Sequence, residues 1–331
     1  MPSEITPSPP QYLQQEETLT QECKDFISTL PKERGWLASH LYQYQGFWYP
    51  VRHLQGLISC QKHFQAQQSD VFLVTTPKSG TTWLKAIIFT LANRTRYPVA
   101  KNHPLLTNNP HDLVPFLEIK LYVDNQIPDF SSFPSLRLFS THSPHVSLPE
   151  SVKQNSACKI VYLCRNPKDI FVSLWHFTNK LRPQETGRNS MSEVFDLFCR
   201  GVSLFGPFWD HALEYWKLSI ENPDRVLFLK FEDMKNQPGT HLRRLAEFLG
   251  SPFSAGEEES GLVEEILKLC SFDNLSSLEV NRSGKLTSGE ENKVFFRRGV
   301  VGDWKNYLGS EMVDRIDRIT EEKFCGSGLI I

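Results

Sequence analysis

The residues best suited to chemistry begin with Thr75-Thr76-Pro77-Lys78-Ser79-Gly80-Thr81-Thr82-Trp83, which lies between an apolar run and a helical pattern. Gly80 permits close backbone approach, and the amides of Ser79, Gly80, Thr81 and Thr82 can converge on an anion at a helix N-terminus. Lys78 adds a point charge and the hydroxyls add donors. A plain strand–helix turn needs the glycine, but not a lysine and a run of hydroxyls beside it. The order also separates this loop from G-x-x-x-x-G-K-[ST], because Lys78 precedes Gly80.

Two further basic loops stand far off in the chain. In CRNPKDIFVS, Arg165 follows an apolar run, Pro167 suits a first helical turn, and Ser173 comes eight residues after Arg165. In FFRRGVVGDWKN, Arg297 and Arg298 precede Gly299 and Gly302. Taken singly, an arginine at a helix start pairs with a carboxylate, and a charged turn is merely solvated. Together they matter more, because the formal net charge is only −2. Such a balance gives no general reason to bind nucleic acid or an anionic membrane. Three local basic loops instead point to one small ligand with more than one anionic centre. In FSTHSPHVSLP, His142 follows another apolar run, where an imidazole of ordinary pKa ~6.5 could take a proton from a hydroxyl. Pro144 separates His142 from His145, and no third ligand is adjacent, so a metal centre is not expected.

These loops need a frame that brings them together. Four apolar runs of about five residues, at 71–75, 136–140, 160–164 and 226–231, read as buried strands. Helical patterns fall at 20–30, 82–93, 168–180, 195–219 (broken at Gly206-Pro207) and 240–249. Strand–helix alternation predicts an α/β fold, with a central parallel β-sheet flanked by helices. Ligands then bind beyond the carboxyl ends of the strands, where all these loops sit. Residues 1–18 are rich in Pro, Ser, Gln and Glu and read as a mobile tail, leaving 19–331 as a single domain. Seven dispersed cysteines without C-x-x-C predict reduced thiols. The N-terminal residues lack the basic and apolar regions of a signal peptide, and no apolar run reaches membrane-spanning length. A cytoplasmic, membrane-free protein is the expectation.

The motifs PKSGTTW at 77–83, CRNPKD with Ser173, and RRGVVGDWK at 297–305 resemble those of the cytosolic sulfotransferases that use 3′-phosphoadenosine 5′-phosphosulfate (PAPS). CRNPKDIFVSLWHF, GPFWDHALEYWK and FCGSGL look most like the plant branch, that of flavonol, brassinosteroid and hydroxyjasmonate sulfotransferases. The resemblance implies a P-loop-like phosphosulfate site at Lys78, Ser79, Gly80, Thr81 and Thr82. It implies a 3′-phosphate site at Arg165, Ser173, Arg297, Arg298 and the Gly299 amide. Trp83, Phe231 and Phe272 would pack around adenine, with Trp209 a further candidate. His142 would be the catalytic base and Lys78 would stabilise the leaving phosphate. The partner would be a small hydroxylated acceptor in a pocket bounded by Phe47, Trp48, His145, Trp175 and the stretches 181–192 and 253–262.

The chain departs from the family pattern in places. Ser140 stands where animal relatives carry lysine two residues before the histidine, Phe231 replaces a common tyrosine, and RRG replaces RKG. The animal K-x-x-x-T-V-x-x-x-E dimer motif is absent after Trp304, which predicts a monomer or weak dimer. Two rival readings remain. VLFLKFED at 226–233 resembles a strand ending in a metal-binding acid, as in a nucleotide kinase. A non-catalytic nucleotide-binding protein would need the three basic loops but not His142.

Overall fold

The computed structural model describes residues 19–99, 102–155, 157–183, 185 and 187–331. The segment read as a tail, 1–18, lies outside them. After helix α1 (Gln21–Ser28), capped by the Thr20 side chain, comes a small antiparallel meander of β1 (Lys32–Arg34), β2 (His40–Tyr44) and β3 (Phe47–Tyr49). Tyr44 pairs with Phe47 across Gln45 and Gly46, both at positive φ (50° and 86°). That is the geometry of a two-residue hairpin turn whose twist matches its strands. Helix α2 (Val51–His63) follows.

The main sheet begins with β4 (Val71–Thr75), which feeds α3 (Thr81–Ala92). A short α4 (Pro110–Leu113) precedes β5 (Leu138–Thr141), and α5 (Glu150–Gln154) precedes β6 (Lys159–Cys164). Next come α6 (Pro167–Leu181), α7 (Met191–Cys199), α8 (Phe208–Glu221) and β7 (Val226–Lys230). The helices after β7 are α9 (Phe231–Asn236), α10 (Pro238–Phe248), α11 (Ala255–Glu259), α12 (Leu262–Leu269), α13 (Phe272–Ser277), α14 (Glu279–Ser283) and α15 (Ser310–Phe324). The sheet runs β5-β4-β6-β7 with every pairing parallel.

Why the strands read as unbroken apolar runs is visible in the packing. Phe72, Val74, Phe139, Ile160 and Tyr162 join one core with α2, α6, α7, α8 and α15. Val71, Leu73, Val161 and Leu163 join a second core with α3, α10 and α12. Successive side chains point to opposite faces, and both faces are covered, so these positions are apolar on each side of the sheet.

The expected elements form with shifted ends. The run at 136–140 pairs as β5 two residues later, and Phe231 leaves β7 to open α9. The helical pattern at 195–219 divides, as its Gly206-Pro207 break implies, into α7 and α8, with α8 opening directly after Pro207 and the segment between them turning at Gly201 (φ 84°) and Phe205 (φ 59°). All seven cysteines are free thiols.

One buried ion pair ties the strand starts together. Arg137 donates from Nε and Nη2 to the two Asp70 oxygens, both at 2.6 Å. The rings of Phe64, Phe130 and Phe139 surround the guanidinium. Asp70→Ala leaves that charge buried and unpaired, at an expected cost of about 3–5 kcal/mol. Urea denaturation checks it; a midpoint equal to that of the wild type refutes it.

Candidate active site

At the carboxyl edge of the sheet lies a cavity of about 560 Å³, lined by residues from all four strand-end loops. Lys78, Gly80, Thr81, Thr82, Trp83, His142, Arg165, Ser173, Phe231, Phe272, Arg297, Arg298 and Gly299 all line it. Ser79, though in the same loop, is buried and braces it from behind, its Oγ 2.7 Å from Thr76 Oγ1. A second brace joins Thr75 Oγ1 to Thr81 Oγ1 at 2.7 Å.

The loop after β4 turns through Lys78 (φ 72°) and Gly80 (φ 108°), and Gly80 caps α3. The first turn of α3 holds no acidic residue, so the positive end of its dipole faces the cavity without a carboxylate of its own. The Lys78 ammonium lies 4.1 Å from the Phe177 ring centroid and has no carboxylate partner among the described residues. Burial, with Arg297, Arg165 and Lys180 adding repulsion, pushes its pKa down to about 7. A buried lysine among cations with no carboxylate of its own is suited to meet an anion.

Arg165, at the end of β6, holds two loops at once. It donates to the Lys78 carbonyl oxygen (3.3 Å) and the Val300 carbonyl oxygen (2.7 Å), and its guanidinium lies 4.4 Å from the Phe231 ring centroid. Asp169, buried one turn along α6, accepts from the amides of Gly302 (2.8 Å) and Trp304 (3.0 Å). Asp303 pairs with both Arg297 and Arg298. The Nε groups of Arg165 and Arg297 are buried without a hydrogen-bond partner among the described residues. Such donors cost free energy unless something satisfies them. The glycines explain the close fit of the rings. A Cβ on Gly80 would meet Phe231 at 2.8 Å, and one on Gly299 would meet Phe272 at 2.5 Å.

His142 follows β5. Its Nδ1 is 2.6 Å from the Thr75 carbonyl oxygen, an acceptor only, so Nδ1 carries the proton and Nε2 keeps its lone pair. The ring is wedged between Phe116 (4.6 Å) and Phe205 (5.3 Å). Burial holds its pKa well below the usual imidazole value; the Thr75 carbonyl opposes that, and Lys85, His211 and His53 reinforce it. The backbone is pinned too: the His142 amide donates to Glu118 Oε1 (2.7 Å), and His211 Nε2 donates to its carbonyl oxygen (3.0 Å). A neutral, oriented imidazole is what a base at neutral pH requires. Among the described residues, no three His, Cys, Asp or Glu side chains cluster as metal ligands.

Two expectations fail. Trp209 is buried in the core against Phe198 and Phe208, with its Nε1 donating to Thr320, and it does not reach the cavity. Nor do Phe47, Trp48, His145 or Trp175 line it, nor any described residue of 181–192 or 253–262. Three of these rings pack elsewhere: Phe47 against His211, His145 against Tyr215 and Trp175 against Tyr307. The rest of the lining includes instead Leu37, Pro50, His53, Phe116, Leu204, Phe205 and Leu286. Sequence reasoning also passed over Lys85 and His111. A lysine inside TTWLKAIIFTLA, an otherwise apolar helix, was a usable signal.

Comparison with known proteins places this geometry in a family. The model of the sulfotransferase domain matches residues 68–328. Cytosolic sulfotransferase 12 of Arabidopsis thaliana is 55% identical over 97% of both chains, and cytosolic sulfotransferase 5 is 52% identical over 95% of this chain and 97% of its own. A crystal structure from Arabidopsis thaliana, of a chain assigned as a steroid sulphotransferase, superposes with a TM-score of 0.76 at 49% identity, covering 96% of this chain and 97% of that one. Mouse sulfotransferase SULT7A1, complexed with PAP, gives 0.67 at 29% identity, covering 87% and 95%. With relatives of half its sequence over nearly its whole length, the chain belongs to the sulfotransferase family, among the plant cytosolic enzymes.

Proposed function

We propose that the protein transfers the sulfuryl group of PAPS to a hydroxyl of a small-molecule acceptor in the cytoplasm. The observation that carries this reading is the pairing, across one cavity, of an uncompensated Lys78 with a neutral His142 whose Nε2 makes no hydrogen bond among the described residues. The residues present fit a ligand of two separated phosphates. Arg165 and Arg297, whose Nε donors lack partners among the described residues, line the cavity together with the first turn of α3. The mouse relative complexed with PAP supports the same donor.

When bound, PAPS supplies an activated sulfuryl group carried on a phosphate leaving group. Lys78 and the amides of Ser79, Gly80, Thr81 and Thr82 hold the 5′ end. Arg165, Ser173, Arg297, Arg298 and the Gly299 amide hold the 3′-phosphate, and Trp83, Phe231 and Phe272 flank the adenine. His142 Nε2 accepts the acceptor hydroxyl's proton, and the Thr75 carbonyl steadies the resulting positive charge through Nδ1–H. Lys78 offsets charge building on the leaving phosphate. Phe116, Leu204, Phe205 and Leu286 favour a flat or alicyclic acceptor, such as a flavonoid, steroid or phenol; the Arabidopsis chain assigned as a steroid sulphotransferase agrees with that shape.

Purified protein given radiolabelled PAPS and a panel of such acceptors should form sulfated product in excess EDTA. Turnover that needs magnesium would favour the kinase reading, and PAP binding without transfer to any acceptor would favour a non-catalytic role.

A further inference from the structure

Lys85 is fully buried, with its ammonium 3.4 Å from the Phe116 ring centroid, and nothing in the transfer step uses it. A lysine is not kept in such a place without partners. Its partner is His111: Nζ lies 3.1 Å from His111 Nδ1. His111 Nε2 in turn lies 3.0 Å from Thr82 Oγ1, in the anion loop. Thr82 and Lys85 are three residues apart on α3, so they share a face, and His111 on α4 bridges them. The bridge is itself held: Asn109 accepts the His111 amide at 2.9 Å, and the Phe116 and Phe295 rings pack on the imidazole.

We propose that Lys85 and His111 are positioning residues that direct the Thr82 hydroxyl hydrogen toward the anion bound in the loop. When Lys85 is protonated it only donates, so His111 Nδ1 then accepts and its proton sits on Nε2. Nε2–H then donates to Thr82 Oγ1, which spends an acceptor lone pair and leaves the hydroxyl hydrogen free. Thr82 lines the cavity, so that hydrogen is available to a phosphate oxygen. Without Lys85 the imidazole can take the other tautomer and accept the Thr82 hydrogen, withdrawing a donor from the ligand. Burial and Lys120 push the Lys85 pKa well below its usual value, while Glu118 and Asp112 oppose them. Burial and Lys85, with other nearby cations, likewise keep His111 neutral, as an acceptor at Nδ1 requires. An arriving anion favours the protonated lysine, so ligand and chain strengthen each other.

This inference rests on the donor reading above, and a double-mutant cycle on PAP affinity, read by calorimetry, tests it. Thr82→Val and Lys85→Met should each weaken PAP binding about tenfold, the usual worth of a hydrogen bond to a charged group. In the Thr82→Val background, Lys85→Met should then cost less than about twofold. Additive losses, or unchanged PAP affinity in Lys85→Met, overturn the proposal. If Lys85→Met does not fold, His111→Phe keeps the ring packing, removes both nitrogens, and must show the same dependence on Thr82. A wild-type protein that fails to bind PAP removes the donor reading and this inference with it; PAP binding with an additive cycle removes the inference alone.

Discussion

His142→Ala should lower kcat by at least about 10²–10⁴-fold, the range a general base contributes, and leave PAP affinity near that of the wild type. The split follows from geometry. The imidazole touches Thr75, at the very start of the anion loop, and the rings of Phe116 and Phe205, with no contact to Lys78, Arg165, Arg297 or Arg298 among the described residues. Its loss removes the proton acceptor while the phosphate-holding groups stay in place. Calorimetry with PAP beside single-turnover assays separates the two effects; undiminished turnover would remove His142 from the reaction. The acid limb of the rate profile adds a second check. Activity is lost as pH falls through the pKa of His142, and burial holds that pKa well below ~6.5. The rate should therefore stay flat as pH drops past the ordinary imidazole value.

Lys78→Met is the second large effect, with kcat/KM for PAPS falling about 10²–10³-fold, as when one preorganised donor is removed from a developing oxyanion. Unlike the histidine change, this one also weakens PAP binding, because Lys78 meets the anion before and after transfer. The charge state of Lys78 gives a further signature. In the free protein its pKa is about 7, and the protonated form is the one that attracts an anion. Donor affinity should fall as pH rises through about 7, and should level off below it. Bound anion raises the lysine pKa, so the alkaline limb of kcat at saturating PAPS should lie above that of kcat/KM. A PAP affinity constant between pH 6 and 8.5 would contradict this.

The three basic loops and His142 were legible because their signals are local. A glycine at positive φ, a lysine beside it and an arginine closing an apolar run all lie within a few residues of one another. The four parallel strands were legible for the same reason, since burial on both faces makes each an unbroken apolar run. The acceptor wall was not. It joins Leu37 and Pro50 from the N-terminal meander, Leu204 and Phe205 from the α7–α8 connection, and Leu286 from the loop after α14. Nothing in any one segment announces the others. Trp209 misled because an aromatic residue on a helix has the same sequence appearance whether it faces a ligand or, as here, Thr320 and Phe198. The meander itself was missed because its strands are three to five residues long and its turn is Gln45-Gly46, which lacks the Asn-Gly or Asp-Gly signature.

The strand order β5-β4-β6-β7 lays the reaction out in a line. His142 follows the first of these strands, Lys78 the second, Arg165 the third and Phe231 the fourth. Neighbouring strands are ~4.8 Å apart, so under the proposed function the sheet would work as a ruler about 14 Å long, from the base His142 to the ring of Phe231 beside the nucleotide. Chemistry common to every acceptor is therefore written in the hydrogen-bonded frame, where a shift in one strand would disturb all the others. Choice of acceptor would then fall to lining side chains such as Leu37, Phe205 and Leu286, drawn from segments outside the main sheet. Such a protein can change its taste in alcohols over generations without relearning how to hold its donor.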